Sequence, residues 1–314
     1  MTEISLIDPE DDDDLALFAR LVNEVAPDIP TSVEDLHWEN QVGPGITRFR
    51  AMRDGRPVAV ASVGRLFIYE PSHPRYWVGM WVLPEARRQG LGGRLLLEAS
   101  RVARAAGKTG FQTDVSEARP EALAFLARRG FEEFERTKLV ALDLRGLTPA
   151  PVEPPDGIEL TSLADRPDLL PGLYEVALDG YPDIPSIDEP VTVGEFDEFV
   201  ARDIRRAGVP PEALAIGVDP ATGRVAGWGS LLYAPGSTTV AWHDMTVVAR
   251  AYRGRGLATA LKRSVIRWAI QHGVEQLRTG NDEKNAPMRA VNRRLGYAPL
   301  PDLVTLRGPL VPED

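Results

Sequence analysis

The sequence predicts an α/β fold built as two tandem copies of one domain, and three observations carry that prediction. First, a motif recurs: Arg87-Arg88-Gln89-Gly90-Leu91-Gly92 follows an apolar run at 78–82, and Arg253-Gly254-Arg255-Gly256-Leu257-Ala258 follows one at 245–248. A shift of 166 residues carries Arg87 onto Arg253, Gly90 onto Gly256, Leu95 onto Leu261, and Gly130-Phe131 onto Gly296-Tyr297. Second, the same succession of strand and helix patterns runs through both halves, the mixed order of an α/β domain. Third, a chain of 314 residues holds two domains of ordinary size, and the proline-rich stretch 147–156 (LTPAPVEPPD) falls between them. The expected copies are residues 1–147 and 157–314, joined by a linker at 148–156.

Each copy opens on a short strand (4–7; 158–160) followed by a helical segment (15–25; 169–178). Strand pairs joined by tight turns come next: 47–52 and 57–63 around Asp54-Gly55, and 214–218 and 224–232 around Thr222-Gly223. The motif strand then leads into a helix. Leu91, Leu95, Ala99, Val102 and Ala106 recur at steps of three or four residues, as do Leu257, Leu261, Val265 and Trp268, so each set lines one helical face. Gly107 and Gly273 stand where a helix stop belongs. A strand (110–115; 276–280), a helix (121–129; 286–295) and final strands complete each copy. Pro27-Asp28-Ile29-Pro30 recurs as Pro182-Asp183-Ile184-Pro185, but at an offset of 155, which places an insertion in the second half near 205–213.

Composition narrows the function classes. No apolar run approaches the roughly 18 residues that span a bilayer. The first residues carry an acidic block at 10–14 and no basic region, unlike a secretory signal, so a cytoplasmic location is expected. The absence of cysteine removes disulfides and thiolate metal sites. Four scattered histidines (His37, His73, His243, His272) make no metal pattern, so no metal is expected. A net charge of −10 argues against nucleic-acid binding, which needs a clustered basic surface.

A strand, a glycine-containing turn with arginine and then a helix make a cradle for phosphate, because successive N–H groups point outward and the helix N-terminus adds about half a positive charge. Gly254 and Gly256 permit close backbone approach, and Arg253 and Arg255 offer charge-assisted hydrogen bonds. Two better-known phosphate loops fail on spacing. Gly107-Lys108-Thr109 has Val102 where a P-loop needs its first glycine, and Leu95 and Thr259 occupy the last glycine position of a dinucleotide fingerprint.

What remains, [R/Q]-x-x-G-x-[G/A] between strand and helix, resembles the GCN5-related N-acetyltransferase (GNAT) family over essentially the whole chain. In the second copy the resemblance extends to Asn281-Asp282-Glu283-Lys284-Asn285-Ala286-Pro287-Met288 and Asn292-Arg293-Arg294-Leu295-Gly296-Tyr297, a series like that of tandem bacterial members. It implies, in each copy, a mixed, mostly antiparallel sheet flanked by helices. It further implies acetyl-CoA as co-substrate, with transfer of the acetyl group to an amine in a ternary complex.

By the same resemblance, the coenzyme would meet Val248, Arg253, Gly254, Arg255, Gly256, Leu257, Ala258 and Thr259 in the second copy. In the first it would meet Val82, Arg87, Arg88, Gln89, Gly90, Leu91 and Gly92. Val248, like its counterpart Val82, would offer its N–H to the thioester carbonyl. Asn281, Asn285 and Asn292 either line the coenzyme channel or serve as turn and helix caps. Their counterparts are Val115, Arg119 and Leu126, so the second copy is the expected catalytic one and the first a degenerate, structural or weakly binding one. Asp244 and His243, on the motif strand, are candidates for base or water relay, and only one of two strand neighbours can face the cleft. Many family members place a tyrosine acid four residues before the helix-ending glycine. Asn292 stands there and has no acidic proton, which leaves Tyr297 as the candidate acid.

The expected partner is a small-molecule amine, with no nucleic acid or membrane; the pattern does not define an oligomeric state. Asp28, Asp183, Asp188 and Glu189 near the repeated Pro-Asp-Ile-Pro either attract that amine or cap and stiffen loops. A non-catalytic acyl-CoA sensor, or a transferase acting on a protein amine, fits the same residues.

Overall fold

The structure, a computed structural model, describes residues 2–43, 45–66, 69–185 and 191–313. Asp188 and Glu189 lie outside the described residues. The first half runs β1 (Thr2–Leu6), α1 (Asp12–Val25), α2 (Val33–Val42), β2 (Thr47–Arg53), β3 (Arg56–Arg65), β4 (Arg75–Val82), α3 (Leu91–Ala105), β5 (Gly110–Ser116), α4 (Pro120–Ala127) and β6 (Glu132–Asp143). The second runs β7 (Glu159–Ser162), α5 (Leu170–Gly180), α6 (Phe196–Phe199), β8 (Ala215–Asp219), β9 (Arg224–Tyr233), β10 (Val240–Val248), α7 (Leu257–Gln271), β11 (Gln276–Asp282), α8 (Ala286–Arg294), β12 (Ala298–Pro299) and β13 (Leu303–Pro309).

The patterned elements lie where the periodicity puts them, and two helices appear that it did not signal. Helix α2 buries only Leu36 among its residues, so it has no apolar stripe to read. Its start is set instead by Ser32, whose side chain accepts the Asp35 N–H. Helix α6 is four residues long and widens into a π turn over Val200–Ile204, just before the expected insertion.

The chain folds as two compact units, Met1–Arg136 with Asp302–Asp314, and Thr137–Pro301. They do not break at the proline-rich stretch, which lies inside the second unit. Nor do the final strands close their own copies. In unit 1 the order is β1-β2-β3-β4-β5-β13, so the last strand of the chain completes the first sheet, antiparallel to β5. In unit 2 the order is β7-β8-β9-β10-β11-β6, with residues 137–143 of β6 antiparallel to β11. Side-chain fit explains the placement of β13: Val304 and Leu306 are buried in the unit 1 core, and Gly308 passes so close to Phe131 that a Cβ would fall 2.3 Å from its ring.

Both sheets are antiparallel except for one parallel pair each, β4 with β5 and β10 with β11. One face of sheet 1 is covered by α3 through Leu91, Leu95, Leu96 and Ala99, and Leu15, Phe18 and Val22 of α1 pack with Val60 of β3. In unit 2, Leu257, Leu261 and Val265 of α7 pack on one core, while Leu173, Val176 and Phe199 pack around Trp228 in the other. Each fully buried leucine contributes about 2 kcal/mol. Helix and strand are therefore held rigidly on both sides of the turn that joins them.

Candidate functional site

In each unit the two parallel strands touch for three residues and then part. Val240, Ala241 and Trp242 of β10 pair with Gln276, Leu277 and Arg278 of β11, and pairing stops there. The same holds for Arg75, Tyr76 and Trp77 of β4 with Gly110, Phe111 and Gln112 of β5. A bulge between His243 and Thr246 also breaks the register of β10 on β9. Ala249 donates its N–H to Ala226 O at 2.9 Å, on the β9 side. By strand alternation, the Val248 N–H is directed away from β9, toward the parted side. Leu83 donates to Val58 O at 3.0 Å, which leaves Val82 in the same situation in unit 1.

Past the strand end, Gly254 and Gly256 take left-handed φ of 76° and 88°, and Gly256 caps α7 without a side-chain hydrogen bond. Among the described residues, the N–H groups of Gly254, Arg255, Gly256, Leu257 and Ala258 have no acceptor; internal bonding resumes with Thr259 and Ala260, which donate to Gly256 O at 3.0 and 3.1 Å. A Cβ built on Gly254 or Gly256 meets nothing within 4 Å, so the space beside these exposed glycines is open. Unit 1 repeats the form: the N–H groups of residues 88–92 have no acceptor among the described residues, and Gly93 and Arg94 donate to Gly90 O. Arg88 keeps a left-handed φ of 61° where the second copy has Gly254, a conformation that costs a non-glycine residue about 1–2 kcal/mol. Gly92 lets α3 and the Phe125 ring pack closely, since a Cβ there would lie 3.1 Å from that ring.

Arginine and glutamine side chains of the motif are engaged with the turn itself. Arg253 gives Nε to Val248 O at 2.9 Å and pairs with Asp183 at 2.7 Å. Arg87 likewise donates to Val82 O at 3.0 Å. Arg255 reaches Ala251 O at 3.1 Å, and Gln89 reaches Glu85 O at 3.0 Å. These side chains brace the turn. The carboxylates of the Pro-Asp-Ile-Pro segments are also engaged: Asp183 holds Arg250 and Arg253, and Asp28 holds Arg119. The guanidinium groups of Arg250 and Arg253 hold the Asp183 carboxyl well below the usual range. Loop stiffening, the second of the two expected roles, is the one the geometry displays.

The neighbours His243 and Asp244 face opposite ways. His243 is buried on the α7 side, with Nδ1 3.0 Å from Tyr297 Oη. Burial, with Lys262 nearby, pushes its pKa well below the usual value, so it is held neutral. Burial also pushes the Tyr297 hydroxyl above its usual value, which makes it a poor acid. Asp244 is exposed, yet crowding by surrounding protein raises its pKa, opposed by Arg206 and a hydrogen bond from Ser230. An accessible carboxyl in dense surroundings is what a cleft provides. Beside it stand Asp203, raised by burial and salt-bridged to Arg202 at 2.8 Å, and the buried Tyr181 hydroxyl. Sequence reasoning passed over Asp203, Tyr181 and Ser230, because they come from separate elements.

The asparagines divide. Asn285 caps α8, accepting the Met288 N–H at 3.3 Å. Asn292 donates to Asn281 Oδ1 at 2.6 Å, while its own buried Oδ1 has no partner among the described residues. In the shifted register the same places hold Leu126 and Val115, while Asp244 replaces Val78 and His243 replaces Trp77. The polar set therefore belongs to unit 2 alone. Among the described residues no group of His, Asp and Glu is arranged to hold a metal ion, and no helix is long and apolar enough to cross a membrane.

Comparison with known proteins bears on this geometry. The model of the acetyltransferase (GNAT) family matches residues 16–131 and 171–297. A mycothiol acetyltransferase of Catenulispora acidiphila is 40% identical over 81 residues, covering 26% of this chain and a quarter (25%) of that curated relative's length. Among solved structures, a tandem GNAT protein from the clavulanic acid biosynthesis pathway superposes with a TM-score of 0.78 at 21% identity, covering 100% of both chains. A GCN5-related N-acetyltransferase from Sphaerobacter thermophilus gives 0.72 at 19% identity, over 100% of this chain and 97% of the other. At such identities these two likenesses speak for the fold.

Proposed function

The chain belongs to the acetyltransferase (GNAT) family, and from that premise we propose that unit 2 transfers an acetyl group from acetyl-CoA to a primary amine of a small molecule, directly and in a ternary complex. One observation carries the reading. A row of free backbone N–H groups at 254–258 opens beside two parting strands, with Asp244 accessible nearby. Acetyl-CoA supplies an activated thioester, and the open space beside these amides leaves room for its diphosphate, because no Cβ or internal acceptor occupies it.

In this reading the N–H groups of Gly254 to Ala258 hold the diphosphate and the Val248 N–H holds the thioester oxygen. Asp244 takes the proton of the attacking ammonium, a role typically worth 10²–10⁴-fold. Asn281 and Asn292 line the channel as a pair. No side chain is assigned as acid: Asn292 has no acidic proton and the Tyr297 hydroxyl is committed to His243. A thiolate of pKa about 8.5 departs without one, or takes its proton from water. Residence in the cytoplasm belongs to the same proposal.

The test is calorimetric titration of acetyl-CoA into Gly256→Glu and Gly90→Glu chains, alongside turnover with an amine panel. A glutamate at 256 sets a negative charge where the diphosphate would rest, so binding at unit 2 and turnover should both vanish. Gly90→Glu should cost less activity. Unchanged affinity and stoichiometry in Gly256→Glu would remove the site assignment, and the reverse order of activity loss would move catalysis to unit 1.

A second reading, an acyl-CoA-binding sensor without turnover, is favoured by the missing acid at Asn292. Release of free CoA with any amine decides against it, and comparing small amines with amine-bearing peptides separates a metabolite acceptor from a protein one.

A further inference from the structure

Where unit 1 has apolar core, unit 2 has a buried lysine. The register that carries Leu95 onto Leu261 carries Leu96 onto Lys262 and Phe131 onto Tyr297. Leu96 is fully buried, and Lys262 is 2% exposed in the same role on α7. Its ammonium lies 5.6 Å from the centre of the Tyr297 ring, and no carboxylate pairs with it among the described residues. A lone cation in a core is costly, and the sister copy shows that a leucine solves the packing. The position also gains nothing from the helix dipole, which disfavours cations near an N-terminus.

Lys262 is five residues into the helix whose first turn offers the free amides, about 7.5 Å of rise from Leu257. Its ammonium is set beside the Tyr297 ring and near enough to His243 to depress that imidazole, inside unit 2. We propose that Lys262 is an internal counter-charge for the polyanionic coenzyme in unit 2, a specificity determinant that unit 1 lacks, and that it takes up a proton when the coenzyme binds. The inference rests on the proposed coenzyme site.

Burial brings the free lysine down to about 7, so it is partly neutral at physiological pH. The titratable groups facing it are His243 from β10 and Tyr297 after α8. The first is held neutral by burial and the second stays protonated. The core around α7 also includes Ala226 and Leu231 of β9 and Ala215 of β8. A bound anion favours the protonated lysine and raises its pKa. Affinity is therefore greatest below pH 7, where the lysine is already charged, and falls as pH rises past 7, where binding must draw a proton from solution.

The experiment is titration of acetyl-CoA into the full chain between pH 6 and 9, in a Gly90→Glu background that silences the first loop. It is run with and without Lys262→Met, and in paired buffers of different ionisation enthalpy. The parent should lose about tenfold in affinity above pH 7 relative to the variant and take up a proton on binding. Lys262→Met should bind about tenfold more weakly at pH 6, take up none, and melt at a higher temperature. Lys262→Leu, the unit 1 residue, should behave alike and guards against a methionine that packs badly. The coenzyme's own ionisation is common to all chains and cancels. Parallel pH profiles and equal proton uptake would overturn the role of Lys262 while leaving the coenzyme site standing. Absence of binding at every pH, with or without the lysine, would overturn the site as well.

Discussion

The role proposed for Asp244 as base rests on its exposed side chain and on the groups that crowd it, Asp203, Tyr181, Arg206 and Ser230, where desolvation raises its pKa. The raised pKa sets a sign. The carboxyl accepts a proton only when ionised, so the rate should fall as pH drops through a value above the ordinary 3.8 of an aspartate. Asp244→Asn keeps the shape and removes the acceptor; kcat should fall by about 10²–10⁴-fold with the acidic limb of the pH–rate profile gone. A variant that turns over like the parent would take the base away from Asp244. Arg253 teaches a different lesson. Its place in the motif is plain, but its guanidinium spans Val248 O and Asp183, a partner 70 residues upstream, and no local pattern announces that.

At the scale of elements, spacing makes the strand–turn–helix unit legible: the steps of Leu257, Leu261 and Val265 on α7 bury as one stripe. Helix α2, with one buried residue, leaves no such trace. Strand partners are not legible either, because a strand's alternation says which side chains turn inward and says nothing about which edge it joins. Strands β6 and β13 each follow a matched Gly-aromatic pair, Gly130-Phe131 and Gly296-Tyr297, and both read as generic final strands. The pairing of β13 with β5 has a measurable consequence. Leu306, near the end of the chain, is 5% exposed in the core with Leu95 and Phe111. Leu306→Ala should cost about 2–5 kcal/mol. Hydrogen exchange should show that loss in the amides of β5 and α3, with β10 and α7 keeping their protection. Loss of protection in α7 first would contradict the assignment of β13 to unit 1.

For the whole molecule, the two copies share one fold and one loop but differ in the side chains around it. The loop geometry survives in both, even with Arg88 held in a left-handed conformation, whereas Asp244, His243, Lys262, Asn281 and Asn292 occur only in the second. The contrast of Lys262 with Leu96 is written in the sequence itself, at the 166-residue shift; its burial is not, because periodicity marks a helical face without saying how deep each position sits. The covalent order of the chain is a poorer guide. Unit 1 needs residues 302–314 and unit 2 needs 137–143, so neither half of the sequence contains a complete unit. A protease site placed at Ala150, in the exposed proline-rich stretch, should therefore be cut without separating the pieces. The nicked protein should elute with the uncut chain and melt close to it, because pairing of β13 with β5 and of β6 with β11 does not depend on that peptide bond. A chain ending at 147 should show weak protection in β5, whose outer edge would lack β13. Clean separation of the nicked pieces under native conditions would mean that each half closes its own sheet, and that the exchanged strands are not how this chain folds.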